Sequence, residues 1–307
     1  MKRLCLIGFG RWGKVHLAAS KVLKNAKITC VVSRHFEDSK SEYSYLAFYK
    51  DFDDAVDAET IDAVIIASSP IDHYEYAKKC AENHLPFLIE KPFTLSYKDS
   101  KEITDLVIRE DLACMVSYLH LFSLGYSQMK QDIKQHEENL EISSNFFSNG
   151  PVRDDISVIR DWGSHDLAMC LDILGYDLYD DIGIAQIEKL KNQTKFHGTY
   201  KFTLDFHSNN KFKICVSNNS TIEKHNFSVK AKKNIYRYYG DGSYISFFGK
   251  NTQKKVCVAS ENELPLQLTH KRFIDLLDSK KKKNFDSLKL ASKVNLILDN
   301  IENLIEY

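Results

Sequence analysis

The stretch Lys2-Arg3-Leu4-Cys5-Leu6-Ile7, followed at once by Gly8-Phe9-Gly10-Arg11-Trp12-Gly13, decides the fold of the first third of the chain. A short apolar run, a Gly-x-Gly-x-x-Gly segment and the helix-like residues 14–19 indicate strand, loop and helix in that order. In this setting the first glycine makes a tight turn, the second lets the backbone approach a pyrophosphate, and the third allows the helix to pack on the strand. Glycines at this spacing also occur in ordinary structural turns. Their position between a strand and a helix favours a dinucleotide-binding loop over residues 8–13, with phosphates at the helix N-terminus.

Length and composition indicate a globular protein of two domains. The chain has 307 residues, of which 43% are hydrophobic and 27% are charged, as is usual for globular domains. Basic and acidic residues number 42 each, which argues against a nucleic-acid partner held by net charge. No stretch reaches the roughly 18 apolar residues of a membrane helix, and the scattered cysteines form no Cys-x-x-Cys pair. We therefore expect a cytoplasmic protein with no membrane segment and no metal site.

The period of the hydrophobic residues changes near residue 118. Before it, near-continuous apolar strands such as 61–68 alternate with helices such as 72–83, which predicts a parallel sheet covered on both faces. After it, strands show polar alternation, and Gly240-Asp241-Gly242 predicts the turn of a hairpin over 235–248. Helices near 266–279 and 287–305 end the chain. We predict a Rossmann domain over residues 1–117 and an α+β domain with a large, mostly antiparallel sheet over residues 118–307.

Glu90-Lys91-Pro92 follows the apolar run 87–89 of the first domain. The carboxyl ends of parallel strands face the ligand crevice of an open sheet. A lysine at such an end places a cation and three hydrogen-bond donors near a nicotinamide ring and a substrate oxygen. Taken alone, the motif favours the alternative of a surface lysine that precedes a turn.

Asp161-Trp162-Gly163-Ser164-His165-Asp166 begins a predicted helix that runs to Leu174, with Gly175 as its C-terminal cap. Asp161 and His165 are four residues apart, so both side chains point the same way from the helix. A histidine beside a carboxylate suits proton transfer near neutral pH. The alternative is a helix cap at Asp161 followed by a histidine that bonds to the backbone, and the residues alone leave both interpretations open.

Taken in order, these three motifs resemble the glucose–fructose oxidoreductase / inositol dehydrogenase / rhizopine-catabolism (Gfo/Idh/MocA) family of NAD(P)-dependent oxidoreductases, over nearly the whole chain. The matching segments are the glycine loop, Ala67-Ser68-Ser69-Pro70 with His73, Glu90-Lys91-Pro92, Asp161 with His165, the hairpin 239–243 and the helix 273–280. The chain departs from the pattern where the family often has an aspartate three residues after the histidine, since Ala168 stands there and Asp166 lies nearby. An arginine common near the start of the second domain is replaced around His120 to Phe122.

The resemblance implies hydride transfer between a nicotinamide and a carbonyl or secondary alcohol carbon of a sugar or sugar derivative. Lys91 would bind the reacting oxygen, His165 would exchange its proton, and Asp161 would bind the substrate or orient His165. The implied cofactor contacts are residues 8–13, Ser33, Arg34, Ser68, Ser69, Pro70, His73, Glu90 and Lys91. A homodimer or homotetramer through the second sheet is also implied. The alternatives are a cofactor-sensing regulator without turnover and a reductase of a non-sugar carbonyl or imine.

The end of the second strand bears on the choice of cofactor. Val31-Val32-Ser33-Arg34-His35 has no acid where one would bind the ribose 2′-hydroxyl of NAD. Ser33 offers a hydrogen bond and Arg34 a planar fork for a phosphate. We therefore predict NADP. NAD is the alternative, if Arg34 points into solvent and Glu37 or Asp38 does the work of the acid.

Overall fold

The computed structural model describes residues 1–36, 41–133, 139–150, 152–175, 183–189, 194–206, 209–248, 252–256, 264–279 and 285–305. The chain divides into two compact units. The first comprises Met1–Ser117 and Leu266–Ser292, and the second comprises Tyr118–Pro265 and Lys293–Tyr307. The division after Ser117 lies where the hydrophobic period changes. Residues Leu266–Ser292, assigned from the sequence to the second domain, belong instead to the first unit.

The first unit is built on a parallel sheet of six strands in the order β3-β2-β1-β4-β5-β6. The strands are β1 (Lys2–Ile7), β2 (Ala26–Val32), β3 (Ala47–Tyr49), β4 (Ala63–Ile66), β5 (Phe87–Glu90) and β6 (Cys114–Ser117). Every residue of β4, β5 and β6 is buried, as expected for a parallel sheet covered on both faces. The predicted Rossmann architecture is therefore confirmed.

The helices of the first unit include one from the far end of the chain. They are α1 (Arg11–Ser20), α2 (Phe52–Ala58), α3 (His73–Glu82), α4 (Tyr97–Arg109) and, after two helices of the second unit, α7 (Pro265–Asp278). Asp278 of α7 forms an ion pair of 2.9 Å with Lys2 of β1 and accepts a hydrogen bond from Asn25. Phe273 and Ile274 of α7 are buried. These contacts explain why the helix belongs to the first unit although it follows the whole second sheet in sequence.

The second unit is built on a sheet of eight strands in the order β14-β13-β12-β11-β7-β10-β9-β8. The strands are β7 (Glu141–Phe147), β8 (Gly183–Lys189), β9 (Thr199–Asp205), β10 (Lys211–Ser217), β11 (Lys224–Ala231), β12 (Asn234–Tyr239), β13 (Tyr244–Phe248) and β14 (Thr252–Val256). β7 and β10 are parallel, and the other pairings are antiparallel. The predicted mostly antiparallel sheet is thus confirmed. The hairpin between β12 and β13 turns where predicted, with a φ of 86° at Gly242.

Helices α5 (Leu124–Ile133) and α6 (Val158–Leu174) pack on this sheet, and α8 (Asp286–Leu304) ends the chain. α6 begins one turn earlier than its sequence indicates, because the Ser157 hydroxyl caps it by accepting a 3.0 Å hydrogen bond from the backbone N–H of Arg160. The interpretation of Asp161 as the cap is therefore wrong. Gly175, with a φ of 86°, ends the helix as predicted.

Candidate active site

The glycine loop leaves open space at the N-terminus of α1. Gly8 turns the chain at the end of β1 with a φ of 95°, and its N–H donates to the Val32 carbonyl at 2.8 Å. A Cβ on Gly13 would collide with the Gly8 carbonyl, so α1 packs directly on the turn. A Cβ on Gly10, in contrast, would meet no described atom within 4 Å. With no acid in the first turn of α1, this opening suits a phosphate group.

The loop side chains divide into packing and exposed residues. Phe9 packs edge-on against Tyr43 and Phe48, with ring centroids 5.1 and 5.4 Å away. Arg11 is exposed, and 45% of Trp12 is exposed. The cofactor contact predicted for Phe9 would therefore come from its peptide group.

Ser33 and Arg34 directly follow β2, at the same edge of the sheet as the glycine loop. The Ser33 hydroxyl lies 3.3 Å from the backbone N–H of His35. The Arg34 guanidinium forms an ion pair of 2.8 Å with Asp72, and 68% of the Arg34 side chain is exposed. The alternative acids Glu37 and Asp38 lie outside the described residues. Arg34 therefore has a carboxylate partner that its neighbours in sequence do not reveal.

His73 braces two strand ends. Its Nδ1 lies 2.8 Å from the carbonyl of Pro92 and its Nε2 lies 3.3 Å from the carbonyl of Ser68. Burial lowers the pKa of His73, so the ring is neutral near pH 7 and has one N–H. The shorter contact indicates that this N–H is on Nδ1 and donates to Pro92. His73 thereby ties Ser68, Ser69 and Pro70, which follow β4, to the turn that carries Lys91.

Lys91 follows a buried carboxylate at the end of β5. Glu90 Oε1 lies 2.8 Å from Nε2 of His16, and Glu90 Oε2 accepts a 3.2 Å hydrogen bond from the backbone N–H of Lys91. Burial alone would raise the pKa of Glu90, but the hydrogen bond from His16 and the nearby charge of Lys91 hold it below its ordinary value. Glu90 is therefore ionised at neutral pH. Lys91 itself is half-buried.

In the second unit, His165 is held among aromatic rings. Its side chain is buried, with the ring of His120 4.9 Å away at 76° and that of Tyr118 6.0 Å away at 78°. Asp161 lies one turn earlier on α6 and is half-buried, with a guanidinium nitrogen of Arg153 4.0 Å from its carboxylate. The predicted histidine and aspartate thus share one helix and differ in their exposure.

The group also includes Asp166, His225 and Tyr238. His225 on β11 lies 2.7 Å from the carboxylate of Asp166, and the side chains are 7% and 0% exposed. His120 lies between the two histidines of the group, with its ring 4.8 Å from that of His225. Burial raises the pKa of Tyr238, so its hydroxyl stays protonated. This hydroxyl forms a hydrogen bond of 2.9 Å with Nδ1 of His120. Asp166 lies two residues before Ala168, where the sequence departs from the family pattern, and His120 begins the segment that replaces the family's arginine. These departures were the signal in the sequence near Asp166 and His120.

A cavity of about 670 Å³ opens beside this group in the second unit. Phe146 stacks on His225 at 4.2 Å and forms an apolar part of the wall. The lining residues are His120, Phe146, Phe147, Ser148, Glu223, Lys224, His225, Tyr239, Gly240 and Asp241. Donors and acceptors thus surround a space of the size that small-molecule ligands occupy.

Residues 2–118 match the family described as "Oxidoreductase family, NAD-binding Rossmann fold" (Gfo/Idh/MocA). Residues 2–118 are therefore similar to the nucleotide-binding part of this family. The match spans the strands, glycine loop and Glu-Lys-Pro segment of the first unit. The Gfo/Idh/MocA resemblance noted from the motifs is thereby confirmed.

Relatives within and around the family show how far the likeness extends. Scyllo-inositol 2-dehydrogenase (NAD(+)) of Bacillus subtilis is 29% identical over 158 residues, which cover 50% of this chain and 44% of that enzyme. Rhizopine catabolism protein MocA of Rhizobium meliloti is 26% identical over 133 residues, which cover 43% of this chain and 42% of that protein. The chain thus matches less than half the length of either. UDP-N-acetylglucosamine 3-dehydrogenase from Acidithiobacillus ferrooxidans superposes with a TM-score of 0.83 at 15% identity, over 99% of this chain and 98% of that one, which shows a shared fold.

The structure gathers the predicted residues of the first unit at one edge of the parallel sheet. The ends of β1, β4 and β5 are adjacent, and a Cβ on Gly8 would lie 2.5 Å from the Ala67 carbonyl. Lys91 belongs to the first unit, whereas Asp161 and His165 belong to the second. Within the described ranges, no cluster of three or more His, Cys, Asp or Glu side chains could hold a metal ion. No helix in the described part of the chain is long and apolar enough to cross a membrane.

Proposed function

We propose that this protein is an NAD(P)-dependent oxidoreductase acting on a secondary alcohol or carbonyl carbon of a sugar or sugar derivative. The bound nicotinamide would accept or supply the hydride. One observation carries the proposal: Lys91 follows an ionised, buried carboxylate at the same sheet edge as a loop whose Gly10 opens onto the helix N-terminus. Ligands of open α/β sheets bind at this edge. The residues that would hold the cofactor are 8–13, Ser33, Arg34, Ser68, Ser69, Pro70, His73, Glu90 and Lys91.

The chain's own side chains would position the substrate and move its proton. The ammonium group of Lys91 would donate a hydrogen bond to the reacting oxygen. His165 would take the hydroxyl proton during oxidation and return it during reduction. Asp161, the more exposed of the two α6 residues, would bind a substrate hydroxyl or orient His165. The aromatic edges of Tyr118 and His120 restrict the His165 ring, which supports its role as a positioned base.

The cavity and the relatives support the proposed substrate class. Imidazoles, carboxylates, an ammonium group and a tyrosine around about 670 Å³ suit a ligand with several hydroxyl groups, each able to donate and accept. The printed names of relatives include inositol 2-dehydrogenases. We propose that His120 and His225 contact substrate hydroxyls from the cavity wall.

We further propose NADP rather than NAD as the cofactor. Arg34 follows β2 at the position from which a side chain reaches the ribose. Its ion pair with Asp72 is largely exposed, and such pairs contribute little stability. A 2′-phosphate, with its higher charge, would displace Asp72 from the guanidinium at small cost.

Spectrophotometry tests the proposed function directly. Purified protein is incubated with NADP or NAD and a panel of inositols, sugars and nucleotide sugars, and nicotinamide absorbance is followed. We expect turnover with at least one polyhydroxylated compound, its loss in Lys91→Met, and its retention in Lys98→Met, which removes an exposed lysine seven residues away. Tight cofactor binding without turnover on the whole panel would overturn the proposal and favour a cofactor-sensing regulator.

We also propose a homodimer or homotetramer formed through the second sheet. Helices α5 and α6 cover one face, on which Phe212 and Ile214 are buried. The opposite face carries Lys201, Lys213 and Ser228, so the interface would be polar. Light scattering at micromolar concentration tests this, and a strict monomer would contradict it.

A further inference from the structure

A line of hydrogen bonds in the first unit runs from α7 to the backbone of Lys91. Nε2 of His270, on α7, lies 2.8 Å from Nδ1 of His16 on α1. Nε2 of His16 lies 2.8 Å from Glu90 Oε1. The other oxygen of Glu90 accepts from the N–H of Lys91 at 3.2 Å. Both imidazoles and the carboxylate are buried.

The positions of the protons follow from what each group can donate. Glu90 is ionised and has no proton, so Nε2 of His16 carries an N–H that donates to it. Burial, and after it the neighbouring His16, lowers the pKa of His270 well below its ordinary value, so His270 is neutral with one N–H. Nδ1 of His270 is buried and has no hydrogen-bond partner among the described residues. A bare nitrogen is better tolerated there than an unpaired N–H, which places the proton of His270 on Nε2, donating to His16.

We propose that His16 and His270 are positioning residues for Lys91. This rests on the proposed function, in which Lys91 binds the reacting oxygen. The two histidines would determine the position of the Lys91 backbone. His16 holds Glu90 ionised and in one orientation, and the second oxygen of Glu90 then fixes the backbone N–H of Lys91. His270 holds the ring of His16 in the tautomer that donates to Glu90.

This arrangement also joins two functional parts of the first unit. His16 lies on α1, whose N-terminus faces the proposed phosphate position, and Glu90 ends the strand that precedes Lys91. The hydrogen bond between His16 and Glu90 therefore connects the helix that would bind the pyrophosphate with the strand that precedes Lys91. α7 supplies His270, which gives this late segment of the chain a role at the site.

The pH dependence of turnover should show whether this role is more than packing. The charged and titratable groups around Glu90 are His16 on α1, His73 on α3 and Lys91, with His270 of α7 behind His16. In the wild type His16 and Lys91 keep Glu90 ionised. Without His16, burial of the carboxylate should raise the pKa of Glu90, so that Glu90 takes up a proton at a higher pH. The acid limb of the kcat profile should therefore move to higher pH in His16→Phe.

Three variants separate positioning from packing. His16→Phe should lower kcat by roughly ten- to a hundredfold, the scale of a misplaced catalytic group, with the cofactor Kd within about threefold. In His16→Gln, the amide N–H donates to Glu90 and the amide oxygen accepts from His270, so we expect most of the kcat and the wild-type acid limb to return. Asp278→Ala is the matched control, since it loosens α7 at Lys2 and Asn25 without touching His270, and it should leave the profile unchanged.

Nitrogen-15 NMR of the histidine rings in the cofactor-free protein tests the proton positions without any turnover. His270 should appear as the Nε2–H tautomer near pH 7, Nε2 of His16 should carry a proton, and the His16 signal should change in a His270→Phe variant. A His270 proton on Nδ1, or an unshifted acid limb in folded His16→Phe, would overturn the inference. If no substrate is turned over but the NMR result holds, the proposed function has failed and the proton arrangement stands.

Discussion

The two units assemble their functional groups in different ways. In the first, the glycine loop, Ser68 and Lys91 follow strands that lie side by side in a parallel sheet. Each motif is local in sequence, and the topology alone brings the strand ends together. In the second, His165 and Asp166 come from α6, His225 comes from β11, and His120 comes from the 3-10 turn Leu119–Phe122. Packing of a helix across an antiparallel sheet brings these together, and no short motif contains them.

The largest expected effect tests whether both units contribute to one reaction. Lys91→Ala and His165→Ala should each lower kcat by about a hundredfold or more, the usual scale for a positioned acid–base group. Neither residue belongs to the phosphate loop, so cofactor Kd, measured by fluorescence titration, should change little. Wild-type turnover in the double variant would remove both residues from the mechanism.

The second effect tests whether the stability of the second unit depends on the buried pair of His225 and Asp166. His225→Ala leaves the carboxylate of Asp166 buried without its donor, and should destabilise this unit by about 3 kcal/mol, as for other broken buried pairs. In a Trp12→Phe background, Trp162 is the only tryptophan of the chain, and it packs on Phe146 at 4.7 Å, next to His225. Its fluorescence in urea therefore reports this unit.

The same background provides a control for that measurement. Adding Asp166→Asn to His225→Ala removes the unpaired charge and should restore part of the lost stability. A double variant that is less stable than His225→Ala alone would contradict this assignment.

The third effect concerns cofactor choice in the first unit. Arg34→Ala should weaken NADPH binding by about 2 kcal/mol, or roughly thirtyfold, and leave NADH nearly unchanged. Asp72→Asn removes the competing carboxylate and should strengthen NADPH binding. Isothermal titration with both cofactors checks both variants. A wild-type preference for NADH, or an equal effect on both cofactors, would show the NADP assignment to be wrong.

The smallest effect is the acid sensitivity of the first unit. Burial lowers the pKa of His73 and His270 from the ordinary value of 6.5, so the unfolded chain binds these protons more readily than the folded one. Stability is therefore present in full above pH 6.5 and falls as the pH drops below it, by about 1.4 kcal/mol per pH unit for each histidine. Trp12 fluorescence in a Trp162→Phe background follows this unit, and His270→Gln should lower the slope. An unchanged slope would contradict the linkage.

Most of the fold was predictable because hydrophobic period records burial. The continuous apolar runs of β4 and β5 and the turn at Gly242 were read correctly. β3 and β14 were not indicated, since β3 has only three residues and β14, Thr-Gln-Lys-Lys-Val, shows little apolar alternation. α6 was expected to begin at Asp161, and the N-terminal cap that Ser157 provides was not recognised in the sequence.

The residues of the candidate site also divide into those that local sequence patterns reveal and those that they do not. The residues of the glycine loop, of Glu-Lys-Pro and of Asp-x-x-x-His lie close together in sequence. These motifs could therefore be recognised from the sequence, and they predicted the loop, Lys91, and Asp161 with His165. His16 and His270 are 254 residues apart, and Asp166 and His225 are 59 apart. Without homologous sequences, nothing along the chain connects such partners.

By itself, the sequence determined two domain types, the nucleotide loop and the residues proposed for hydride chemistry, because each depends on local conformation or on the periodic burial of apolar side chains. Only the tertiary structure decided that α7 packs with the first unit, that Asp72 pairs with Arg34, and that buried imidazoles hold Glu90 and Asp166. Those outcomes depend on which side chains meet when water is excluded. Buried charges require partners, and the fold supplies them from wherever in the chain the packing places them.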